Sequence, residues 1–367
     1  MQLDWLKPLA DLEGPFACAT IDASNLDPTS RSHRLASWGS ARRELERSGA
    51  DEATLAVLEE AMTGGANGVG ERTHVACASN GSLVLDMGLD GRPRREASSF
   101  GAVPRLMDVV RGLDGKETYA VVKLDREGAD IEVIDPTGAL VSATDVTGDH
   151  DELRKVAAGG ASQRRFQARA EDSWKHNATQ VAAELDRLVR RVRPGVVFLE
   201  GEEHMTSYLV EQAPGMLGDR IVRLGTGGRA AGTSEAAEVA ARERELARRR
   251  AERDAQLVER FGDATGAGSA VEGWEAVQAA IAKAQVAHVL LCPDAWDDEG
   301  QPERGTGGGQ ELRQSPSEQP RQDHDQDALL WALATVGAEL SLIAQPFEAK
   351  DGIGAILRWN DGSVRPA

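Results

Sequence analysis

The sequence lacks the features of a membrane, secreted or disulfide-stapled protein. Its 367 residues include only three cysteines, Cys18, Cys77 and Cys292. Because they are widely spaced and odd in number, we expect neither a disulfide framework nor a zinc site. No uncharged apolar run approaches the length of a membrane span, and Asp4 and Lys7 interrupt the region where a signal peptide would be apolar. A cytoplasmic protein is expected.

Basic residues are also in short supply. There are 42 Lys and Arg against 60 Asp and Glu, so the net charge is −18. A protein that coats nucleic acid without specificity is basic overall, and this class is excluded. Local arginine clusters can still bind phosphate, so the distribution of charge matters more than its sum. No Gly-x-Ser-x-Gly, P-loop or dinucleotide fingerprint is present, and no metal or other cofactor is expected.

Breaks in composition predict a multidomain α/β protein with three parts. Residues 1–114 form an N-terminal α/β domain, residues 115–233 a central domain, and residues 234–367 a long helix followed by a C-terminal α/β domain. Within the last part, residues 296–325 are rich in Gly, Gln, Pro and charge. This insert is too polar to bury and is predicted to be disordered.

The first domain is predicted to begin with a strand at Pro15–Asp22. A helical stretch follows from about Trp38 to Met62. Two short strands, Thr73–Ala78 and Ser82–Asp86, flank Asn80-Gly81, a dipeptide typical of hairpin turns.

The central domain opens with three strand-like runs separated by turn residues, which predicts a meander. An amphipathic helix follows from about Phe166 to Arg191. Strands then alternate with helices, so a mixed sheet is expected. The other predicted elements are the strands Thr118–Leu124, Ala129–Ile134, Ala139–Asp145, Val196–Leu199 and Arg220–Leu224 and the helix His204–Gln212.

In the third part, Ser234 is a good N-cap for a helix that runs to about Phe261. Its segment Arg242–Arg253 alternates Glu and Arg at helical spacing, which predicts a solvated face; a basic patch at Arg248–Arg250 is the alternative. The elements predicted beyond it are the helices Val271–Ala284 and Asp327–Gly337 and the strands Val286–Cys292, Glu339–Ile343 and Ile353–Trp359.

The most informative segment lies between Leu153 and Glu171. It contains five basic residues and no acidic one, and the adjacent glycines Gly159 and Gly160 allow a close backbone approach to another surface. In so acidic a chain, such a loop is suited to contact a phosphate backbone. The alternative is that the arginines pair with carboxylates of their own chain. The basic residues are Arg154, Lys155, Arg164, Arg165 and Arg169.

Here the chain resembles a known family. The run from Gly159 to Phe166 opens a long helix, and His176-Asn177 follows about three turns later. This resembles the middle domain of the archaeo-eukaryotic class-one release factors, in which a Gly-Gly-Gln loop reaches the peptidyl transferase centre. Gly352–Trp359 is similar to the closing strand of the third domain of those factors and of Pelota. Glu13–Phe16 resembles the actinobacterial branch of the bacterial relatives, which includes proteins similar to the ribosome hibernation factor Balon.

The resemblance implies a ribonuclease H-like central domain, an L7Ae-like third domain and binding in the ribosomal A site. It implies contacts with 23S rRNA near the peptidyl transferase centre and with the decoding centre, elongation factor Tu as a partner, and a monomer. The residues that it places against RNA are Arg154, Lys155, Gly159, Gly160, Ala161, Ser162, Gln163, Arg164, Arg165, Phe166 and Arg169.

One departure from the family decides the expected activity. Ala161 stands where the family has its glutamine, and alanine has no polar group to position a water. We therefore expect no catalytic residue and a non-hydrolytic factor of the hibernation or stress type. The alternative is a peptidyl-tRNA hydrolase or ribosome rescue factor that uses Gln163.

Other candidate motifs are weaker. Gly308-Gly309-Gln310 spells the catalytic triplet but lies in the polar insert, where short glycine-rich matches are common. Asp323-His324-Asp325 has no further ligand at metal-site spacing. Glu202-Glu203-His204 is expected to begin a helix. A nuclease would need carboxylates that converge on magnesium, whereas turn positions are expected for the candidates Asp125, Asp130 and Asp135.

Overall fold

The computed structural model describes most of the chain in segments. These are residues 1–6, 9, 12, 14–64, 70–125, 127–147, 161–212, 220–225, 235–293, 319–343 and 347–360, with the backbone alone for 161–174 and 319–325. The contacts define two compact units, Met1–Gly115 with Arg250–Ala367 and Lys116–Arg249. The division into three domains stays a prediction. No helix in the described part combines the length and apolarity needed to cross a membrane.

An antiparallel sheet dominates the N-terminal part of the first unit, with strand order β3-β2-β1-β4. Its apolar face under the helices contains Ile21, Trp38, Leu45 and Leu58. The elements are β1 (Phe16–Asp22), α1 (Ser30–Arg47), α2 (Glu52–Thr63), β2 (Arg72–Ser79), β3 (Ser82–Asp90), β4 (Ala97–Gly101) and α3 (Met107–Leu113).

Local chemistry explains where these elements end. The β2–β3 hairpin turns at Asn80 and Gly81, which both have positive φ, as the sequence predicted. The single helical stretch expected over Trp38–Met62 is wrong, because it consists of two helices. Gly49, at a φ of 97°, follows α1, and Asp51 accepts a hydrogen bond from the Thr54 backbone N–H to start α2.

A disulfide bond corrects the expectation that the cysteines stay unpaired. Cys18 in β1 lies directly opposite Cys77 in the antiparallel β2, with 4.1 Å between their Cα atoms, and their sulfurs are bonded. The residues are 59 positions apart in sequence. Only the register of the two strands brings them together, and sequence spacing contains no information on that register. Cys292 is a free thiol.

The second unit contains a five-stranded sheet with the order β7-β6-β5-β8-β9. The strands β7, β6 and β5 are antiparallel, whereas β5, β8 and β9 are parallel. This mixed order is that of a ribonuclease H-like sheet, as expected. The elements are β5 (Tyr119–Leu124), β6 (Gly128–Ile134), β7 (Leu140–Thr147), α4 (Ala161–Val192), β8 (Val196–Gly201), α5 (Glu203–Gln212) and β9 (Ile221–Leu224). Helix α6 (Glu235–Gly266) begins in this unit and, from Arg250 on, belongs to the first.

Helices α4 and α5 cover one face of this sheet. Their apolar residues Val181, Leu185 and Leu209 pack with Val122 and Leu199 of the strands, and all five are buried. The spacing of these residues follows the helical and strand periods that the sequence displays. Helix α4 begins at Ala161 rather than near Phe166, so its first residues include part of the predicted Gly-Gly loop.

The C-terminal part of the first unit contains a four-stranded mixed sheet with the order β10-β13-β11-β12. The short strand β10 replaces the predicted start of a helix at Val271, and Gly273, at a φ of 88°, separates it from that helix. Helix α8 begins at Gln319, inside the insert that was predicted to be disordered. The elements are β10 (Ala270–Glu272), α7 (Trp274–Ala282), β11 (Val286–Leu291), α8 (Gln319–Val336), β12 (Glu339–Leu342) and β13 (Ile353–Leu357).

The two sheets of the first unit share one hydrophobic core. Phe16 of β1 contacts Trp331 of α8 edge to face, with ring centroids 6.0 Å apart. Beside it, the Asp327 carboxylate accepts hydrogen bonds from the backbone N–H groups of Leu106 and Met107, each 2.9 Å long. These donors begin α3, so Asp327 caps this helix from the other end of the sequence.

Burial raises the pKa of Asp327 to about 6. Because this exceeds the value of about 3.9 for an unfolded chain, the folded state binds the additional proton, and its stability falls as pH rises from about 4 to 6. We predict that Asp327→Asn removes this dependence, which amounts to about 3 kcal/mol. Urea unfolding of both proteins at pH 4, 5, 6 and 7 measures it.

A second buried group acts in the opposite direction and serves as an internal control. Burial lowers the pKa of His288 to about 4, so the stability that depends on neutral His288 is lost as pH falls through this value. This contribution is the same in wild type and Asp327→Asn, and it cancels in their difference. A difference that does not change with pH would contradict the role given to Asp327.

Candidate functional site

The predicted RNA-contacting residues lie at the beginning of α4. Ala161, Ser162 and Gln163 open this helix, and Arg164, Arg165, Phe166 and Arg169 follow in its next turns, where the structure describes the backbone only. Arg154, Lys155, Gly159 and Gly160 fall outside the described residues. The contacts of these side chains therefore stay a prediction.

Further along, α4 is held firmly on the sheet. Asn177 is buried, and Lys175 lies over the ring of Tyr208 in α5, with its ammonium 5.4 Å from the ring centroid. His176, by contrast, is exposed and lies within hydrogen-bond distance of Gln180. Of the two residues that match the His-Asn pair of the family, His176 is thus exposed and Asn177 is buried.

Helix α4 is much longer than the strands that it covers. Its 32 residues span about 48 Å at the usual rise of an α-helix, whereas the 8 residues of β7 span about 27 Å. The apolar residues that fix the helix, such as Val181 and Leu188, lie in its C-terminal half. The described contacts thus attach the C-terminal half of α4 to the sheet.

A cluster of four charges, of which the two carboxylates are buried, lies where the parallel strands β5 and β8 end. Lys123 of β5 is in register with Glu200 of β8. Arg242 of α6 donates a hydrogen bond of 2.5 Å to Glu200, whose side chain is fully buried, and Lys123 lies 3.2 Å from Glu238. Gly201, at a φ of 144°, ends β8 so close to the Leu124 carbonyl that a side chain would collide with it.

The two positive and two negative charges in this cluster balance, but one carboxylate oxygen does not take part in the described hydrogen bonds. Burial raises the pKa of Glu200, and the neighbouring Arg242 opposes this shift. The second carboxylate oxygen of Glu200, Oε2, has no hydrogen-bond partner among the residues that the structure describes. Two carboxylates neutralised by a lysine and an arginine form an ion-pair network that fastens α6 to the sheet, whereas a metal site would require carboxylates free to bind a cation.

Two of the three nuclease candidates occupy turns, as expected, whereas the turn position expected for Asp130 is wrong, because Asp130 lies within strand β6. Asp125 accepts hydrogen bonds from the backbone N–H groups of Glu127 and Gly128. Asp135 does the same for Thr137 and Ala139. Among the described residues, no three His, Cys, Asp or Glu side chains are grouped so that they could hold a metal ion.

The acidic run at the end of β8 begins a helix, as the sequence predicted. Helix α5 starts at Glu203, and the Glu202 carbonyl accepts hydrogen bonds from the N–H groups of Met205 and Thr206. Carboxylates at this end stabilise the helix dipole.

The arginines of α6 are mostly bound within the chain. In the second unit, Arg248 pairs with Glu245 at 2.6 Å and Arg249 with Glu117 at 3.1 Å. In the first unit, Arg250 lies 3.1 Å from Asp114. The solvated face predicted for this helix is therefore wrong in part, because several of its arginines reach carboxylates on distant segments.

Sequence reasoning missed Glu200 and its partners. An acidic residue directly after four apolar strand residues was the available signal, since a charge in that position must find a counter-charge. Its partner Arg242 is 42 residues away and is indistinguishable in sequence from its helical neighbours.

Comparison with known proteins agrees with the resemblance. Residues 118–267 match the model of bacterial archaeo-eukaryotic release factor family 2. The matched segment begins at β5 and extends through α6, so it contains the ribonuclease H-like sheet, α4 and the charged cluster. The central part of the chain is thus similar to this family, in agreement with the resemblance that the Gly-Gly motif indicated.

Two relatives match over nearly the full length. The uncharacterized proteins Rv2629 and MT2704 of Mycobacterium tuberculosis strains H37Rv and CDC 1551 are each 28% identical over 375 residues, which cover 98% of this chain and 97% of theirs. Among solved structures, Archaeoglobus fulgidus Pelota is 12% identical, covers 79% of this chain and 80% of its own, and has a TM-score of 0.36. Dom34 of S. cerevisiae is 12% identical, covers 86% and 78%, and has a TM-score of 0.37.

The contribution of the charged cluster to the stability of the protein can be tested. We predict that Arg242→Ala destabilises the protein by about 3–5 kcal/mol, because it leaves the buried Glu200 charge without its partner. The matched control is Arg248→Ala on the same helix, whose ion pair is more exposed and contributes up to about 1 kcal/mol. Urea unfolding followed by circular dichroism gives both values, and equal losses would show that the Glu200 pair has no special role.

Proposed function

We propose that this protein is a cytoplasmic factor that binds the ribosomal A site in a stress or hibernation state and does not hydrolyse peptidyl-tRNA. The observation that carries the proposal is the family match of the central segment, combined with the beginning of α4 at Ala161, directly after Gly159-Gly160. The basic stretch from Arg154 to Arg169 would contact 23S rRNA near the peptidyl transferase centre.

The geometry at the start of α4 supports the absence of hydrolysis. A release factor needs a polar side chain directly after the two glycines to place a water against the ester, and Ala161 has none. Gln163 lies in the first turn of the helix. To take over the position of the family's glutamine it would have to unwind that turn, with loss of its backbone hydrogen bonds.

The remaining partners are inferred from the same resemblance. The L7Ae-like C-terminal part is proposed to contact elongation factor Tu or the base of the ribosomal stalk. The N-terminal part is proposed to face the decoding centre, and the factor is proposed to act as a monomer.

The first test is binding to ribosomes. Wild-type protein is expected to sediment with 70S ribosomes, and Arg164→Glu/Arg165→Glu is expected to abolish this, because two favourable phosphate contacts become repulsive. Sucrose-cushion sedimentation of purified components at physiological salt measures the bound fraction.

A double variant on the same helix provides the control. Arg187→Glu/Arg190→Glu changes the net charge equally, but these arginines pair with Glu184 and Asp186 near the other end of α4. This variant is expected to sediment like wild type. Equal sedimentation of the two variants would remove the proposed role of the basic stretch.

The alternative function is a peptidyl-tRNA hydrolase or rescue factor, which the family description favours. It predicts release of nascent chains from stalled ribosomes and a sharp loss of that activity in Gln163→Ala. We expect no release by wild type or variant in a purified stalled-complex assay. Release that depends on Gln163 would replace the proposed function with this one.

A further inference from the structure

A second basic surface lies on α1, in the N-terminal part of the first unit. Residues 28–43 contain four arginines and a histidine and no acidic residue. Arg31, His33 and Arg34 lie in the first two turns of the helix, whose first turn has no acidic side chain. Cations at a helix N-terminus oppose the helix dipole, so helix stability does not explain their position.

The side chains of these three residues have no partner in the part of the chain that the structure describes. There the side chains of Arg31, His33 and Arg34 make no hydrogen bond or ion pair, and the buried Nε of Arg34 has no acceptor. Arg42, two turns further along the same helix, already has carboxylate partners within the chain. It bonds three carboxylates, those of Glu46, Glu52 and Glu59.

The acidic residue nearest in sequence does not neutralise the surface. The Asp27 carboxylate accepts hydrogen bonds from the backbone and hydroxyl groups of Thr29 and Ser30. These bonds lower the pKa of Asp27 and keep it in the turn before the helix. The guanidinium groups of Arg31 and Arg34 remain available to an external anion.

We propose that Arg31, His33 and Arg34 bind the phosphate backbone of an RNA strand, as a contact separate from the basic stretch before α4. The two arginines are one helical turn apart, so their guanidinium groups can each hold a phosphate of the same strand. The exposed side chain of Leu35 can lie against the sugar of that strand. The identification of the RNA as ribosomal rests on the proposed function.

RNA fits this surface better than an acidic protein segment does. A chain with a net charge of −18 repels polyanions at long range, so the contact must be a short-range one in which each arginine binds its anion closely. Closely spaced phosphates on one strand meet this requirement without any particular sequence, and guanidinium groups bind phosphate oxygens in pairs of hydrogen bonds.

The test compares the full-length protein with Arg31→Glu/Arg34→Glu. The probe is a short RNA duplex, and fluorescence anisotropy gives the dependence of the binding constant on salt. Loss of two phosphate contacts is expected to reduce the slope of log K against log salt by about 2. The control Arg187→Glu/Arg190→Glu has the same net charge and is expected to retain the wild-type slope.

A stability measurement excludes a merely structural effect. Glutamates near the beginning of a helix favour its dipole, and Arg31 and Arg34 lie in the first two turns of α1. The urea midpoint of Arg31→Glu/Arg34→Glu is therefore expected to equal or exceed that of wild type. Arg31→Lys/Arg34→Lys is expected to retain most of the salt slope. Weaker RNA binding with an unchanged or higher midpoint supports the proposal, and an unchanged slope overturns it.

Sedimentation with ribosomes separates this inference from the proposed function. If wild type binds the RNA duplex through α1 but does not sediment with ribosomes, the proposed function fails and the RNA surface stands. If the α1 variant loses ribosome binding but keeps duplex binding, the surface meets an acidic protein segment, and the RNA assignment is overturned. Absence of duplex binding by wild type overturns it as well.

Discussion

The buried charge of Glu200 is the constraint on which the central domain depends. A carboxylate fully removed from water at the end of a parallel strand needs a cation beside it, and among the described residues Arg242 of α6 donates a hydrogen bond to it. With Lys123 and Glu238, this pair fixes α6 across the sheet face that α4 and α5 leave uncovered. The apolar contact of Leu246 with the strands then extends the same attachment.

The same constraint limits the chemistry that this sheet can support. In an open α/β sheet, the carboxyl ends of parallel strands are the usual place for a ligand. Here they contain matched charges, and at the opposite ends of the same strands Arg249, in the middle of α6, donates hydrogen bonds to Glu117 and the Gly195 carbonyl. This pairing of charges is one reason why the proposed function is placed at the start of α4 and not at this edge of the sheet.

Pairing of charges distinguishes structural arginines from functional candidates. In a chain with more acids than bases, an arginine finds a carboxylate easily, as Arg42 and the arginines of α6 do. Arg31 and Arg34, whose side chains have no partner among the described residues, differ from these, and this difference is the basis on which we propose an external contact for them. The same question, whether a carboxylate of the chain pairs with the arginine, decides between a structural and a functional role for Arg164 and Arg165.

The sequence predicted features that depend on local patterns and missed those that depend on distant contacts. The strands β5, β6 and β8 lie within two residues of their predicted positions, because alternation and turn residues specify them locally. Strand β10 has only three residues, and pairing with β13 is what makes it a strand. The Cys18–Cys77 bond and the Glu200–Arg242 pair likewise depend on register and packing between distant segments.

The family resemblance depended on a motif of a few residues, and it held because such a motif reflects a local backbone requirement. Two glycines before a long helix permit the chain to turn sharply and approach a surface closely. That requirement is independent of the residue that follows. The glutamine of a release factor adds chemistry to this geometry, and Ala161 has no polar group that could supply it. For this reason we propose that the chain occupies the position of a release factor without hydrolysis, with the long helix α4 behind the two glycines as the support of the contact.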